Sequence, residues 1–385
     1  MREVVIVEGV RTAVGRRKGS FAGYRADELA AIVLEEVVRR AGVEKGDVED
    51  VILGCVTQYN EQAMNIARTA ALIAGFPIHV PGVTIDRQCG SSQQAVHFAS
   101  QAIASGDMDI VIAGGVENMT RSPMFSNMAE AKPSPKLTEK HEIINQGNSA
   151  ERIAEKWGFS REDLDRFSME SHRRALEAIA EGRFQDEIVP VEVPQEDGTV
   201  RTMKVDEGPR EGSTLEVLGG LPTVFDDEGV ITAGNASQMS DGASAVLLMS
   251  REKAEELGIK PLARIVARSV VGSDPTLMLT GPIEATKKVL LKAGLTIADM
   301  DTYEVNEAFA PVPLAWLKET GADPAKLNPN GGAIALGHPL GATGTRIFVS
   351  MLNELKRTNG RYGLIAICEG MGMANATIIE RLERE

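Results

Sequence analysis

The feature that most limits how this chain can fold is a repeat within it. Ala41-Gly42-Val43 followed by Asp47-Val48-Glu49-Asp50-Val51-Ile52-Leu53-Gly54 recurs as Ala293-Gly294-Leu295 followed by Asp299-Met300-Asp301-Thr302-Tyr303-Glu304-Val305-Asn306, at a constant offset of 252 (293 − 41 and 299 − 47). A second pair sets Gly106 and Ile110-Val111-Ile112-Ala113-Gly114 against Gly360 and Leu364-Ile365-Ala366-Ile367-Cys368, at an offset of 254 (360 − 106). In each copy a helix with an apolar stripe, such as Leu29, Val33, Val37 and Val38 over 27–41, runs through a polar turn into a short apolar strand. Two such matches in the same order predict a duplicated α/β unit of strand, helix, strand, uncharged helix and buried strand. The 385 residues leave room for two or three domains with full cores. On the second offset Cys89 stands opposite Thr343, so both halves have an uncharged helix start there.

Between the copies the texture changes. Pro123, Pro133, Pro135, Pro190, Pro194, Pro209 and Pro222 interrupt the stretch from Met119 to Met239. One long helix is predicted inside it, from Ser149 to Glu181, broken near Gly158-Phe159-Ser160, with Ser160 and Asp163 spaced as a capping box. The expected organisation is therefore a first half over 1–118 completed by about 240–259, an inserted lobe over 119–239, and a second half over 260–385. Inserted lobes commonly carry binding.

Charge excludes some functions. Lys plus Arg is 41 against 55 Asp plus Glu, a net charge of −14, which argues against nucleic acid and against anionic membrane surfaces. An anionic ligand has to be met by local Arg or Lys. The first residues, Met1-Arg2-Glu3-Val4-Val5-Ile6-Val7-Glu8-Gly9, are too short an apolar run for a signal peptide or a spanning helix, so a cytoplasmic protein without membrane insertion is expected. Cys55, Cys89 and Cys368 are odd in number and far apart, which leaves reactive or buried thiols rather than a disulfide framework or a zinc site.

Cys89 stands out among them. From Gln88 to Gly106 there is no Asp, Glu, Lys or Arg, so Cys89 opens a helix expected to be buried on nearly all sides. Free N–H groups and the positive end of a helix favour a thiolate, and such positions draw a cysteine pKa from about 8.5 to roughly 3.5–7.5. The alternative is a small buried hydrophobe. Four other charge-poor stretches join it: Asn306-Glu307-Ala308-Phe309-Ala310, which alone reads more readily as a structural turn; His338 in a glycine run, otherwise a core histidine; Cys368-Glu369-Gly370-Met371-Gly372-Met373-Ala374 at a strand end; and Thr232-Ala233-Gly234-Asn235-Ala236-Ser237 where the lobe rejoins the core.

With Gln88-Cys89-Gly90-Ser91, Ala233-Gly234-Asn235-Ala236-Ser237, Asn306-Glu307-Ala308-Phe309, the run Asn330 to Pro339 and Cys368 with its glycines in this order, the chain resembles the thiolases, acetyl-CoA acyltransferases. The resemblance extends from the first strand to the last. It implies an α/β thiolase-like fold, two similar halves in a five-layered αβαβα core, with a loop domain over the coenzyme A site. It also implies a homodimer or homotetramer, with coenzyme A and acyl-CoA as substrates, no permanently bound cofactor and no metal. By position, Cys89 becomes the acylated nucleophile, His338 its activator and Cys368 the acid/base for the second substrate. Asn306 holds a water that, with His338, stabilises the first thioester oxyanion, and the N–H groups of Cys89 and Gly370 form a second oxyanion hole. Ser237, Arg210, Ala233, Phe309 and Met278 fall at substrate or coenzyme A positions.

The chain departs from many relatives at Met371 and Ala374, where they have glycine, at Asn145-Gln146-Gly147, where biosynthetic relatives place His-Met, and in a short segment between Thr120 and Asn145. These bear on acyl-chain choice. The implied reaction interconverts a 3-ketoacyl-CoA plus coenzyme A with an acyl-CoA plus acetyl-CoA. The alternatives are a ketoacyl-carrier-protein synthase, which pairs its cysteine with two histidines, and a non-catalytic acyl-CoA or lipid-binding relative, which lacks one of Cys89, His338 or Cys368.

Overall fold

In the computed structural model residues 2–195 and 197–382 are described; residues 1 and 383–385, at the outer ends of the predicted halves, fall outside them. The first half contributes β1 (Val4–Thr12), α1 (Ala26–Ala41), β2 (Asp50–Gly54), α2 (Ile66–Ile73), β3 (Gly82–Ile85), α3 (Ser91–Ser105), β4 (Ile110–Asn118) and, after the lobe, β5 (Ser240–Ser250). Inside the lobe lie α4 (Gln146–Trp157) and α5 (Arg161–Ala180). Except that no strand is described between α7 and α8, the second half repeats the order with β6 (Ala263–Gly272), α6 (Gly281–Ala293), β7 (Thr302–Val305), α7 (Pro311–Thr320), α8 (Thr343–Thr358), β8 (Tyr362–Glu369) and β9 (Met373–Arg381).

Hydrogen bonding gives the strand order β7-β8-β9-β6-β1-β5-β4-β2-β3. Only Val5 with Arg264 and Ile6 with Ala263 pair across the join between halves. Strand alternation sorts the core into layers. Val51, Leu53, Ile110 and Ile112 face α1 and α2, while Ile52, Val111, Val246 and Leu248 face the opposite way. There they meet Val96, Ala99 and Ile103 of α3, Ile347, Phe348 and Met351 of α8, and Ile365 and Ile367 of the second half. Leu364 and Ala366, on the far face of β8, pack with Val289 of α6 and Trp316 of α7. The result is helix, sheet, helix, sheet, helix, as the repeat and the resemblance predict. Burying each large apolar side chain contributes about 1.5–3 kcal/mol.

This arrangement explains the missing charge in α3, which lies between two sheets and is buried over most of Ser91–Ser100, with Phe98 the outward exception. It also corrects one alignment. Asp50 pairs with Val111 and Thr302 with Gly363, and α3 and α8 begin at Ser91 and Thr343, all at an offset of 252 (302 − 50, 363 − 111, 343 − 91). Thr343 is therefore the counterpart of Ser91, not of Cys89, whose counterpart is Gly341. The 254 match slides two apolar strands past their structural equivalents.

The chain leaves the sheet at Asn118 and re-enters it at Ser240. The predicted lobe helix begins at Gln146, earlier than the pattern of apolar residues suggests, and breaks at Gly158, a left-handed C-cap. Ser160 restarts it: its N–H donates to Asp163 Oδ2 (2.8 Å) and its Oγ accepts from the Asp163 N–H (3.2 Å).

Candidate active site

After β3 the chain turns sharply over Asp86–Gly90, with Gln88 in the left-handed region at φ +49. The Gly90 N–H donates to Arg87 O (3.1 Å) and the Ser91 N–H to Gln88 O (3.0 Å). Ser91 Oγ accepts from the Arg87 N–H (2.8 Å) and donates to Gln88 O (2.6 Å). Cys89 thus sits just outside α3 and is 4% exposed. The expected lowering of its pKa does not hold. Burial pushes the thiol up to about 12, and the nearby Glu369 carboxyl adds to the rise. The helix end fails to offset this because the N–H groups of Gly90 and Ser91 are already turned back onto Arg87 and Gln88. Gly90 has no room for a side chain: a Cβ would lie 2.1 Å from Glu369 Oε1 and 2.8 Å from Asn375 Nδ2.

His338 comes from the glycine-rich run before α8 and is also buried. Its N–H donates to Gln238 O (3.0 Å), at the point where the lobe rejoins the core. Its Nδ1 lies 2.6 Å from Thr343 Oγ1, and that hydroxyl donates to Pro339 O (2.9 Å). With the hydroxyl proton used in this way, Thr343 accepts from Nδ1–H, so the tautomer assigned by the hydrogen bonds makes Nε2 the acceptor, with the Asn306 amide as its long donor. Nε2 lies 3.4 Å from Asn306 Nδ2. Burial, reinforced by Arg346, lowers the imidazole pKa to about 3. The resting histidine is neutral and the resting thiol is protonated.

Asn306 follows β7 directly, and its Oδ1 is buried with no hydrogen-bond partner among the described residues. Two buried carboxylates hold the surrounding loops. Glu307 accepts from Ser171 Oγ of α5 (2.7 Å), Asn328 Nδ2 (2.8 Å) and the Ile334 N–H (3.1 Å). Glu117, at the end of β4, accepts from the N–H groups of Val56 (2.9 Å), Thr57 (3.0 Å) and Gly341 (2.9 Å), and from Gln62 Nε2 (2.8 Å). The glycine-rich run that presents His338 is therefore tied to the lobe by Glu307 and to the first half by Glu117.

Cys368 lies on β8 opposite Ala374. It packs with Met278, Leu279, Phe309 and Ile334, away from the central helices. Burial raises its pKa well above the ordinary thiol range, and neighbouring Cys89 and Glu369 raise it further. Gly370-Met371-Gly372 make the turn into β9, with Met371 at φ +66. Glu369 points to the other face, toward Gly90 and Asn375; it is fully buried, and neither carboxyl oxygen has a hydrogen-bond partner among the described residues.

Cys89 thus neighbours Cys368, which packs in one cluster with Phe309 and Met278 and is followed by Gly370, while His338 meets Asn306, whose N–H donates to Ala366 O on the strand that carries Cys368. Half-buried Ser237 borders it, its N–H donating to Ala308 O (2.9 Å) while Ala236 bridges to Phe309. Ala233 and Arg210 lie farther out and exposed; the Arg210 N–H donates to His172 Nδ1 of α5 (3.1 Å). The sequence assigns no role of their own to Glu117, Glu307, Thr343, Glu369 and Gln146. For the three glutamates a signal existed, since each is a charge inside an otherwise apolar or glycine-rich stretch. Among the described residues no group of three or more His, Cys, Asp or Glu could hold a metal ion.

Comparison with known proteins extends over the whole chain. The family models "Thiolase, N-terminal domain" and "Thiolase, C-terminal domain" match residues 4–252 and 259–381. The chain is 52% identical to a steroid 3-ketoacyl-CoA thiolase of Mycobacterium tuberculosis, covering 99% of this chain and 95% of that protein. It is 45% identical to a beta-ketoadipyl-CoA thiolase of Escherichia coli, covering 99% and 100%. The crystal structure of the Bacillus anthracis acetyl-CoA acetyltransferase superposes with a TM-score of 0.92 at 42% identity, covering 99% of each chain.

Proposed function

This chain belongs to the thiolase family, and on that premise we propose how its buried groups divide the work of an acyltransferase acting on coenzyme A thioesters. The observation that carries the reading is the pair of buried thiols, one from each half, with Cys89 neighbouring Cys368, together with a buried neutral imidazole whose Nε2 is an acceptor toward Asn306.

In the cleaving direction, His338 Nε2 takes the proton of Cys89 as Sγ attacks the 3-keto carbon of a 3-ketoacyl-CoA. The N–H groups of Cys89 and Gly370 receive the resulting oxyanion, while Asn306, through a water on its unpartnered side, and His338 stabilise the thioester oxygen on which the leaving acetyl-CoA carries its charge. The C2–C3 bond then breaks, leaving the shortened acyl group on Cys89. The departing acetyl-CoA carbanion takes a proton from Cys368, a thiol held protonated by burial. Incoming coenzyme A gives its proton to the Cys368 thiolate and attacks the acyl-cysteine, and the same N–H groups of Cys89 and Gly370 again receive the oxyanion. Cys89 leaves as thiolate and recovers the proton from His338. Condensation of two acetyl-CoA is the reverse. A high thiol pKa and a low imidazole pKa suit this scheme, because the charge pair forms only as the carbonyl is attacked.

The lobe over 119–239 covers the coenzyme A chain, with Ser237 and Ala233 along it and Arg210 toward the nucleotide end; exposed Arg210, near the glycine run, supports this. Phe309 and Met278 line the acyl side. The chain assembles as a homo-oligomer, supported by the open edge strand β3 with Val83 exposed and Phe98 exposed on α3 beside it. It acts in the cytoplasm, consistent with three unpaired thiols. No helix among the described residues is long and apolar enough to cross a membrane.

Replacing Cys368 with Ala tests the division of labour. Acetyl transfer from acetyl-CoA to Cys89 should persist, while α-proton exchange of acetyl-CoA and acetoacetyl-CoA formation should fall by several orders of magnitude. Exchange near the parent rate in a folded variant would remove Cys368 from the mechanism.

A further inference from the structure

The groups around Gly370 do not match a site built for a plain alkyl chain. A Cβ placed on Gly370 would lie 3.0 Å from Gln88 Oε1 and 3.3 Å from Gln146 Nε2. Two side-chain amides thus converge on the backbone that follows Cys368. One comes from the turn presenting Cys89, the other from the first residue of α4 in the lobe.

Both are held in place. The Gln88 Nε2 donates to Asp86 Oδ1 (3.3 Å) and Oδ2 (3.4 Å); since a carboxylate only accepts, the amide oxygen is the end turned toward Gly370. Gln146 is positioned through its backbone. The Asn145 side chain caps α4 by accepting from the Gly147 N–H (2.9 Å). Gly147 sits against Phe225, whose ring would be 2.2 Å from a Cβ there, and Phe225 packs edge-on to Phe309 at 6.0 Å. Among the described residues the Gln146 amide and Gln88 Oε1 have no hydrogen-bond partner. The apolar wall formed by Met278, Leu279, Phe309 and Ile334 around Cys368 therefore faces a polar one.

We propose that Gln88 and Gln146 form a polar end to the acyl pocket, selecting 3-ketoacyl-CoA thioesters whose acyl chain carries a second oxygen function, hydroxyl, carbonyl or carboxylate, a few atoms from the reacting carbonyl. The inference rests on the reading of Gly370 as an oxyanion donor, which puts the reacting carbonyl beside these amides. An oxygen function pairs with the Gln146 N–H or the Gln88 carbonyl. A methylene chain strips water from both and returns nothing, the asymmetry by which polar sites reject apolar analogues far better than apolar sites reject one another.

Thiolysis of 3-ketohexanoyl-CoA, 5-hydroxy-3-ketohexanoyl-CoA and 3-ketoadipyl-CoA, six-carbon chains differing in polarity, tests it in the intact enzyme. The parent should favour at least one polar thioester over the alkyl one by about tenfold or more in kcat/KM. Gln146→Met, close to it in volume, should bring that ratio near one. Gln146→Glu should lower 3-ketoadipyl-CoA specifically while the hydroxy compound remains a substrate, which separates hydrogen bonding from size. A parent preference for 3-ketohexanoyl-CoA, or a ratio that survives Gln146→Met, would overturn the proposal. Acetoacetyl-CoA serves as the control, because failure of the parent to cleave it would count against the thiolase mechanism instead.

Discussion

Replacing Glu369 with Gln should stabilise this protein in alkali and leave it unchanged in acid. Glu369 is fully buried without a hydrogen-bond partner among the described residues, and burial raises its pKa to about 9, with Arg87 opposing and Asp86 adding. Its repeat counterpart, 252 residues earlier (369 − 117), is Glu117, which accepts hydrogen bonds from three backbone N–H groups, from Gln62 Nε2 and from the Cys55 thiol. Glu369 therefore stays a neutral acid across the working range. The unfolded chain loses this proton near pH 4.3, whereas the folded one keeps it to about 9, so the contribution to stability is complete below 4.3 and is lost as pH rises toward 9. At about 1.4 kcal/mol per pH unit, the loss between pH 5.5 and 8.5 has a ceiling of about 4 kcal/mol, and relaxation around the site reduces it to about 2–3 kcal/mol. Glutamine has the same shape and nothing to ionise. Urea unfolding of parent and variant at one protein concentration should show near-equal stability at pH 5.5 and a variant more stable by about 2–3 kcal/mol at pH 8.5. The parent should also lose activity above pH 9, when an anion appears beside Cys89, and the variant should not. A parent–variant difference identical at both pH values would refute the account of Glu369 as a buried neutral acid.

Two further outcomes follow from the site. Thr343→Val removes the acceptor that fixes Nδ1–H on His338 and should slow acylation by about ten- to a hundredfold with a shifted pH profile, while Thr343→Ser should restore both; stopped-flow acylation across pH reads this, and equal rates in all three proteins would contradict it. Arg210→Ala should weaken coenzyme A binding by about fivefold and leave turnover at saturation nearly intact, measured by titration and steady-state kinetics.

The repeated α/β order, the Ser160–Asp163 cap and the uncharged helix were legible because each rests on local pattern: strand runs, the spacing of Ser160 and Asp163, and the absence of charge from Gln88 to Gly106. The neighbourhood of Cys89, His338, Asn306 and Cys368 became legible only through the family resemblance, since nothing local in the sequence brings a residue at 89 beside one at 368. The environment of the nucleophile was misread for the same reason. A helix start is visible in sequence, but the acid that crowds Gly90 is supplied by a strand of the other half, and the turn that consumes the Gly90 and Ser91 N–H groups depends on Gln88 adopting a left-handed backbone. The repeat match at 254 sets Thr343 opposite Cys89, yet its place at the start of α8 makes it the support of His338. The offset of 254 hid this by matching apolar strands, whose sequences tolerate sliding better than their hydrogen bonds do.

The central claim is that Cys89 carries the acyl group despite its raised pKa, with His338 taking its proton. Brief incubation of the enzyme with acetyl-CoA, acid quenching, digestion and peptide mass analysis reads this directly. The account predicts one acetyl group on the peptide containing Cys89, its formation slowed strongly in His338→Ala; acetyl found on Cys55 or Cys368 with Cys89 free would contradict it.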